Sequence, residues 1–93
     1  MLSKNPLDIY GRKLDREGLA QALRLAIVGE LDAINLYIQL ANAVDDPEAK
    51  RVLLDIAREE KVHVGELMTL LRKVDGEQAK ALEEGAREVE EHS

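Results

Sequence analysis

The sequence predicts an all-α protein: an antiparallel hairpin of two long helices and a short C-terminal helix, with a second copy of the chain completing a four-helix bundle. Three observations carry this expectation. Apolar residues recur every three or four positions through two long segments, the period of a helix that buries one face. Each segment opens on an aspartate suited to capping a helix N-terminus. The first segment is apolar on more sides than one neighbouring helix can cover, so a further copy has to cover the rest.

Residues 1–14, with Pro6 and Gly11, read as an irregular arm, and residues 15–93 as a single helical-hairpin domain. Asp15 is the expected N-cap of a first helix running to about Val44, with Leu19, Leu23, Ile27, Ile34, Tyr37 and Ala41 on its inner stripe. Gly18 and Gly29 weaken it by about 1 kcal/mol each relative to Ala. In Asp45-Asp46-Pro47 the second aspartate caps and the proline suits the first helical position. The second helix is expected to reach about Val74, with Val52, Leu53, Ile56, Val64, Leu67 and Leu71 inside. Asp75-Gly76-Glu77-Gln78 reads as a third start, with Gln78 in the capping-box position, and a highly charged helix follows from about residue 76 to about Glu90. Leu25, Val28, Leu31, Leu36 and Ile38 lie off the inner stripe of the first helix, and they are what require an oligomer.

Composition narrows the chemistry. Ninety-three residues make one small domain, and chains of this size bury only about 60% of their unfolded surface, so they need reinforcement. The absence of Cys rules out disulfides, thiolate iron or zinc centres and thiol catalysis. The most apolar helix is interrupted by Glu30, Asp32 and Asn35, and MLSKNPLDIYGRK has no long apolar run, so neither a membrane span nor a secretion signal is expected and the protein is read as cytoplasmic. A net charge of −6, with 13 basic residues among 19 acidic ones and two aromatics, argues against a nucleic-acid partner.

The polar residues on the inner stripes are the candidate site. At about 100° per residue, Glu30 falls among Leu23, Ile27, Ile34 and Tyr37, and Glu60 among Leu53, Ile56, Val64 and Leu67. A carboxylate there needs a cation, a donor or a metal, because an unpaired buried charge costs several kcal/mol. Glu59, beside Asp55, His63 and Glu66, belongs to a wetter face. His63 follows Glu60 by one turn and can aim a ring nitrogen at whatever Glu60 binds. Asp45 lies fifteen residues from both Glu30 and Glu60. An antiparallel pair therefore sets the two carboxylates at one height, about 22 Å from the turn. Oxygen ligands with one imidazole suit iron, manganese or, less well, zinc. Bundles that bind two metals draw one Glu from each of two helices and a Glu-x-x-His from each of the other two; this chain offers one of each, so two chains are required.

Each signal alone has an ordinary explanation. A Glu-x-x-His arises by chance on charged helices, and Glu30 could pair with a Lys, an Arg or His63. Matched height, matched facing and the half-complement of ligands together favour metal. Tyr37, two turns from Glu30, is either a core residue or a group that orients a ligand or donates an electron. Asp32, Asp55, Glu66 and His92 read as surface residues, and Met68 as core filler.

Within AIVGELDAINLYIQLA and LLDIAREEKVHVGELM the chain resembles the encapsulated ferritins, closely over residues 16–74 and more loosely beyond. The resemblance implies a ferritin-like four-helix bundle with Glu30, Glu60 and His63 as iron ligands of a di-iron centre in each dimer and Tyr37 beside them. It further implies a ferroxidase that oxidises Fe(II) with O2, a homodimer as the minimal active unit, and a decameric ring, a pentamer of dimers. That ring would sit inside an encapsulin nanocompartment, feeding iron storage. Two features depart from the family. Gly29 and Asp32 stand where some members carry further Glu residues of an outer metal site, and the chain stops at EVEEHS where cargo members carry an apolar targeting tail. Two other functions fit the same residues: a rubrerythrin-like peroxide reductase, which without Cys needs an external electron donor, and a non-catalytic helical dimerisation module.

Overall fold

A computed structural model describes residues 13–93. The arm expected over residues 1–14 lies outside the described residues except for Lys13 and Leu14, which are non-helical. Three helices follow: α1, Arg16–Ala43; α2, Pro47–Val74; and α3, Gly76–Glu91. All described regular structure is helical, as the apolar period predicts.

Local chemistry sets the helix ends. Asp15 caps α1, its Oδ1 accepting from the Gly18 N–H at 2.7 Å. That close approach accounts for Gly18, because a Cβ there would sit 3.0 Å from the same oxygen. Asp46 caps α2 by accepting from Ala49 N–H at 3.2 Å, ahead of Pro47. Only Val44, Asp45 and Asp46 separate α1 from α2, so the two run antiparallel as close neighbours.

Asp75 closes α2 and opens α3. Its backbone N–H donates to Leu71 O, and its carboxylate accepts from Gln78 N–H at 3.1 Å. The capping box expected at Gln78 is only half formed. The Gln78 side chain turns away from the cap to accept from Arg24 Nε at 3.1 Å, while Arg24 Nη2 donates to Asp75 at 2.5 Å. A charged donor from α1 outcompetes the neutral backbone N–H. Arg16 donates to the carbonyls of Val74 and Lys73, each at 2.9 Å, satisfying acceptors that the end of α2 leaves open.

The core lies between α1 and α2. Ala20, Leu23, Ile27, Ile34 and Ala41 from α1 meet Ala57 and Leu71 from α2, with Val64, Leu67 and Met68 half-buried around them. Two expectations fail here. Leu19 is 40% exposed and Val52 is 52% exposed, because both lie on a side of the hairpin rather than in the α1–α2 seam. Helix α3 buries no residue, and its radiating course gives a radius of gyration of 16.8 Å. A compact chain of this length would have about 12 Å.

The α2–α3 junction therefore rests on polar contacts. The Asp75 carboxyl is held below its ordinary value, first by the Gln78 N–H and then by Arg24. A depressed carboxyl stabilises the fold above its unfolded value of 3.8 and stops doing so as pH falls through the lower folded value. Asp75→Ala is expected to lower stability and to fray the start of α3. Wild-type α3 should fray in the same way only below pH 3.8, as NMR chemical shifts of residues 76–82 would record.

Candidate metal centre

The hairpin brings Glu30, Glu60 and His63 together from two helices. One ligand atom from each lies within 4.8 Å of the others. His63 Nδ1 is 3.3 Å from Glu30 Oε2 and 3.5 Å from Glu60 Oε2, so the ring sits between the two carboxylates. Glu30 and Glu60 stand at one height because the turn is equidistant from both, and His63 reaches the pair from one turn further along α2.

The site is more open than the centre of an apolar stripe. The side chains of Glu60, Glu30 and His63 are 19%, 28% and 48% exposed. The reason is angular. Glu30 lies about 60° from Ile27 around α1 and Glu60 about 60° from Ala57 around α2, which puts both at the edge of the seam. Glu59, Asp32, Asp55, Glu66 and His92 are exposed, as expected of surface residues, and Met68 packs on the core. Tyr37 is half-buried, two turns along α1 on the side of Glu30.

The donor set fits a first-row divalent ion. Two carboxylates and an imidazole nitrogen suit iron or manganese. Ligand distances of about 2.0–2.2 Å, as in zinc sites, place two ligands of one ion at most about 4.4 Å apart. Small side-chain rotations would close the present spacing onto an ion. Three protein ligands leave further coordination positions free, the arrangement of catalytic rather than structural sites.

A hairpin whose facing helices carry one Glu and one Glu-x-x-His holds half of the ligand set found in two-metal helical bundles. The rubrerythrin family profile matches residues 21–92. A ferritin-like–encapsulin shell fusion protein of Pyrococcus furiosus is 52% identical over 98% of the chain, which spans 27% of that protein. The encapsulin nanocompartment cargo protein EncC of Myxococcus xanthus is 39% identical over 85% of the chain, which spans 62% of that protein. The chain thus covers less than two thirds of either relative. The crystal structure of the encapsulated ferritin domain from Pyrococcus furiosus superposes with a TM-score of 0.84 at 51% identity, covering 98% of this chain and 94% of that one. The chain belongs to the encapsulated ferritin-like proteins, within the rubrerythrin family.

Two like charges sharing one imidazole bring the metal-free fold little benefit. Glu30→Gln is expected to leave its thermal stability within about 0.5 kcal/mol or to raise it slightly. Wild type at 100 times the dissociation constant of Mn(II) should gain about 2.7 kcal/mol. Scanning fluorimetry with and without Mn(II) would test both points, and the variant should lose most of the metal-induced gain.

Proposed function

We propose that two copies pack their Glu30–Glu60–His63 sides together into a four-helix bundle, and that the paired site is a ferroxidase. The observation that carries this reading is the convergence of three ligands from one chain at the open edge of its hairpin. Two copies supply four carboxylates and two imidazoles, the full complement for two ions.

The surface around the site supports pairing. Near the open end of the hairpin Leu19 and Leu70 stand at one height, and near the turn Leu40 and Val52 do nearly the same; all four are at least 40% exposed. They flank the three ligands at both ends, so pairing would remove apolar surface from water while enclosing the ions. The described chain exposes 7475 Å². A compact monomer of this mass would expose about 5,400 Å². The excess, about 2,000 Å² in one chain, includes the projecting α3 and leaves ample surface for an interface of about 800 Å² per partner.

Fe(II) is the substrate. Two ions, which Glu30, Glu60 and His63 of both copies would hold, would each give up one electron; O2 would take up the two electrons with two protons from solvent and leave as hydrogen peroxide. The protein's own part is to fix the two ions and leave positions open. Tyr37, two turns from Glu30 on the same side of α1, would orient a ligand or donate an electron near the ions. The names of the relatives support association with an encapsulin shell. Delivery of Fe(III) for storage there is the proposed fate of the product, and a decameric ring of five pairs the proposed assembly. Among the described residues no helix is long and apolar enough to cross a membrane.

The rubrerythrin family match makes peroxide the competing oxidant. Stopped-flow oxidation of Fe(II) by O2 and by hydrogen peroxide separates the two, and faster turnover with peroxide would favour the reductase. Glu60→Ala and His63→Ala are each expected to slow Fe(II) oxidation by at least about tenfold, the lower end of what even outer-shell changes cost metal sites. Helix content should be unchanged by circular dichroism. Wild-type rates in both variants would refute the ferroxidase reading.

A further inference from the structure

Helix α3 has no account in the site. It is a 16-residue helix with no buried residue. Isolated helices of about this length are marginal in water. Its Glu77, Glu83, Glu84, Glu88, Glu90 and Glu91 outweigh Lys80 and Arg87, so it is strongly acidic. Among the described residues, its own chain holds only its first half by polar contacts, through Arg24 on Asp75 and Gln78 and through Arg72 on Glu83 at 3.6 Å. Leu82, Ala86 and Val89 form one stripe, and Val89 is 71% exposed.

The hairpin carries a surface of opposite charge. At 100° per residue, Lys50, Arg51, Arg58, Lys61 and Arg72 fall within about 100° of arc on α2, a sector without an acidic residue. The surface acids of α2 collect on a different arc. The basic arc faces away from the Glu30–His63 side, and it borders the exposed apolar residues Val28, Leu31 and Leu54. Arg72 at the end of that arc already grips α3 within the chain.

We propose that α3 of one copy docks along the Arg51–Arg58–Lys61 arc of a second copy, its Glu rows pairing with the basic side chains and Val89 resting near Leu54. The same chain cannot make this contact. Arg58 lies 16 residues before the end of α2, so about 24 Å of helix separates it from the junction. Only Asp75 links the two helices, and α3 departs at an angle, giving the molecule extents of 46 and 44 Å. The docking face and the metal face are on opposite sides of the hairpin. Two-chain units joined through one could therefore associate through the other, and this inference does not depend on iron chemistry.

The test uses wild-type protein prepared as a mixture of ¹⁴N and ¹⁵N chains, joined by a zero-length carbodiimide that couples lysine to carboxylate. Mass spectrometry should find mixed-isotope peptides linking Lys50 or Lys61 to Glu84, Glu88, Glu90 or Glu91. Links confined to single chains, or leading from those lysines to other segments, overturn the proposal. As a second measurement, Arg51→Glu with Arg58→Glu should raise the concentration needed for assemblies larger than two chains by at least about tenfold. Adding a Glu84→Lys, Glu88→Lys chain should recover those assemblies, and light scattering reads both effects. Unchanged assembly, or the absence of rescue, overturns the proposal. Loss of the two-chain unit as well overturns the assignment of this face to a separate interface. Failure of the ferroxidase reading would show instead as normal assembly without iron oxidation.

Discussion

Two glutamates of like charge, held at the same height on facing helices, form the constraint around which the hairpin is organised. Glu30 and Glu60 converge on one imidazole because three loop residues join α1 to α2 and because Asp15 and Asp46 fix where each helix begins. A register slip of one residue would turn a side chain by about 100° and shift it by 1.5 Å, which would separate ligand atoms now within 4.8 Å. The tightness of the turn and the spacing of the ligands are thus one property. Carboxylates placed this way contribute little to folding on their own and gain a purpose when a cation lies between them.

The hairpin has three distinct surfaces. Its seam is filled by Leu23, Ile27, Ile34, Ala57 and Leu71, with small residues letting the backbones approach. One flank carries the Glu30–Glu60–His63 cluster, bracketed by exposed leucines and a valine. The other carries the basic arc and the root of α3, where Arg24 ties Asp75 and Gln78 to α1. Exposed apolar side chains on the second surface and charge on the third give each flank of this thin molecule, 23 Å in its shortest dimension, a different surface chemistry.

Most of this was legible in the sequence. Aspartate caps, Pro47 and the apolar period set the helix bounds to within a residue, because each is a local rule with a local cause. The convergence of Glu30, Glu60 and His63 was legible because its two glutamates break the apolar pattern at positions equidistant from the turn. Leu19 and Val52 were misassigned to the interior, since periodicity marks an apolar face without saying whether the covering helix belongs to the same chain. Ala20 and Ala57 were overlooked in the seam, since alanine carries almost no pattern signal. The Gln78 side chain was assigned to its own cap when a guanidinium from 54 residues away takes it, a contact that only tertiary structure reveals. The openness of the site was likewise hidden, because sequence angles gave its facing but not the depth of a seam lined by small residues.

Native mass spectrometry of anaerobic Fe(II)-loaded protein tests the shared centre most directly, because it reads chain number and metal number on the same ion. The account predicts a two-chain species carrying two iron atoms, with neither a His63→Ala chain nor a Glu60→Ala chain retaining both metals. A two-chain species that forms equally well without iron and holds none when iron is supplied would contradict it.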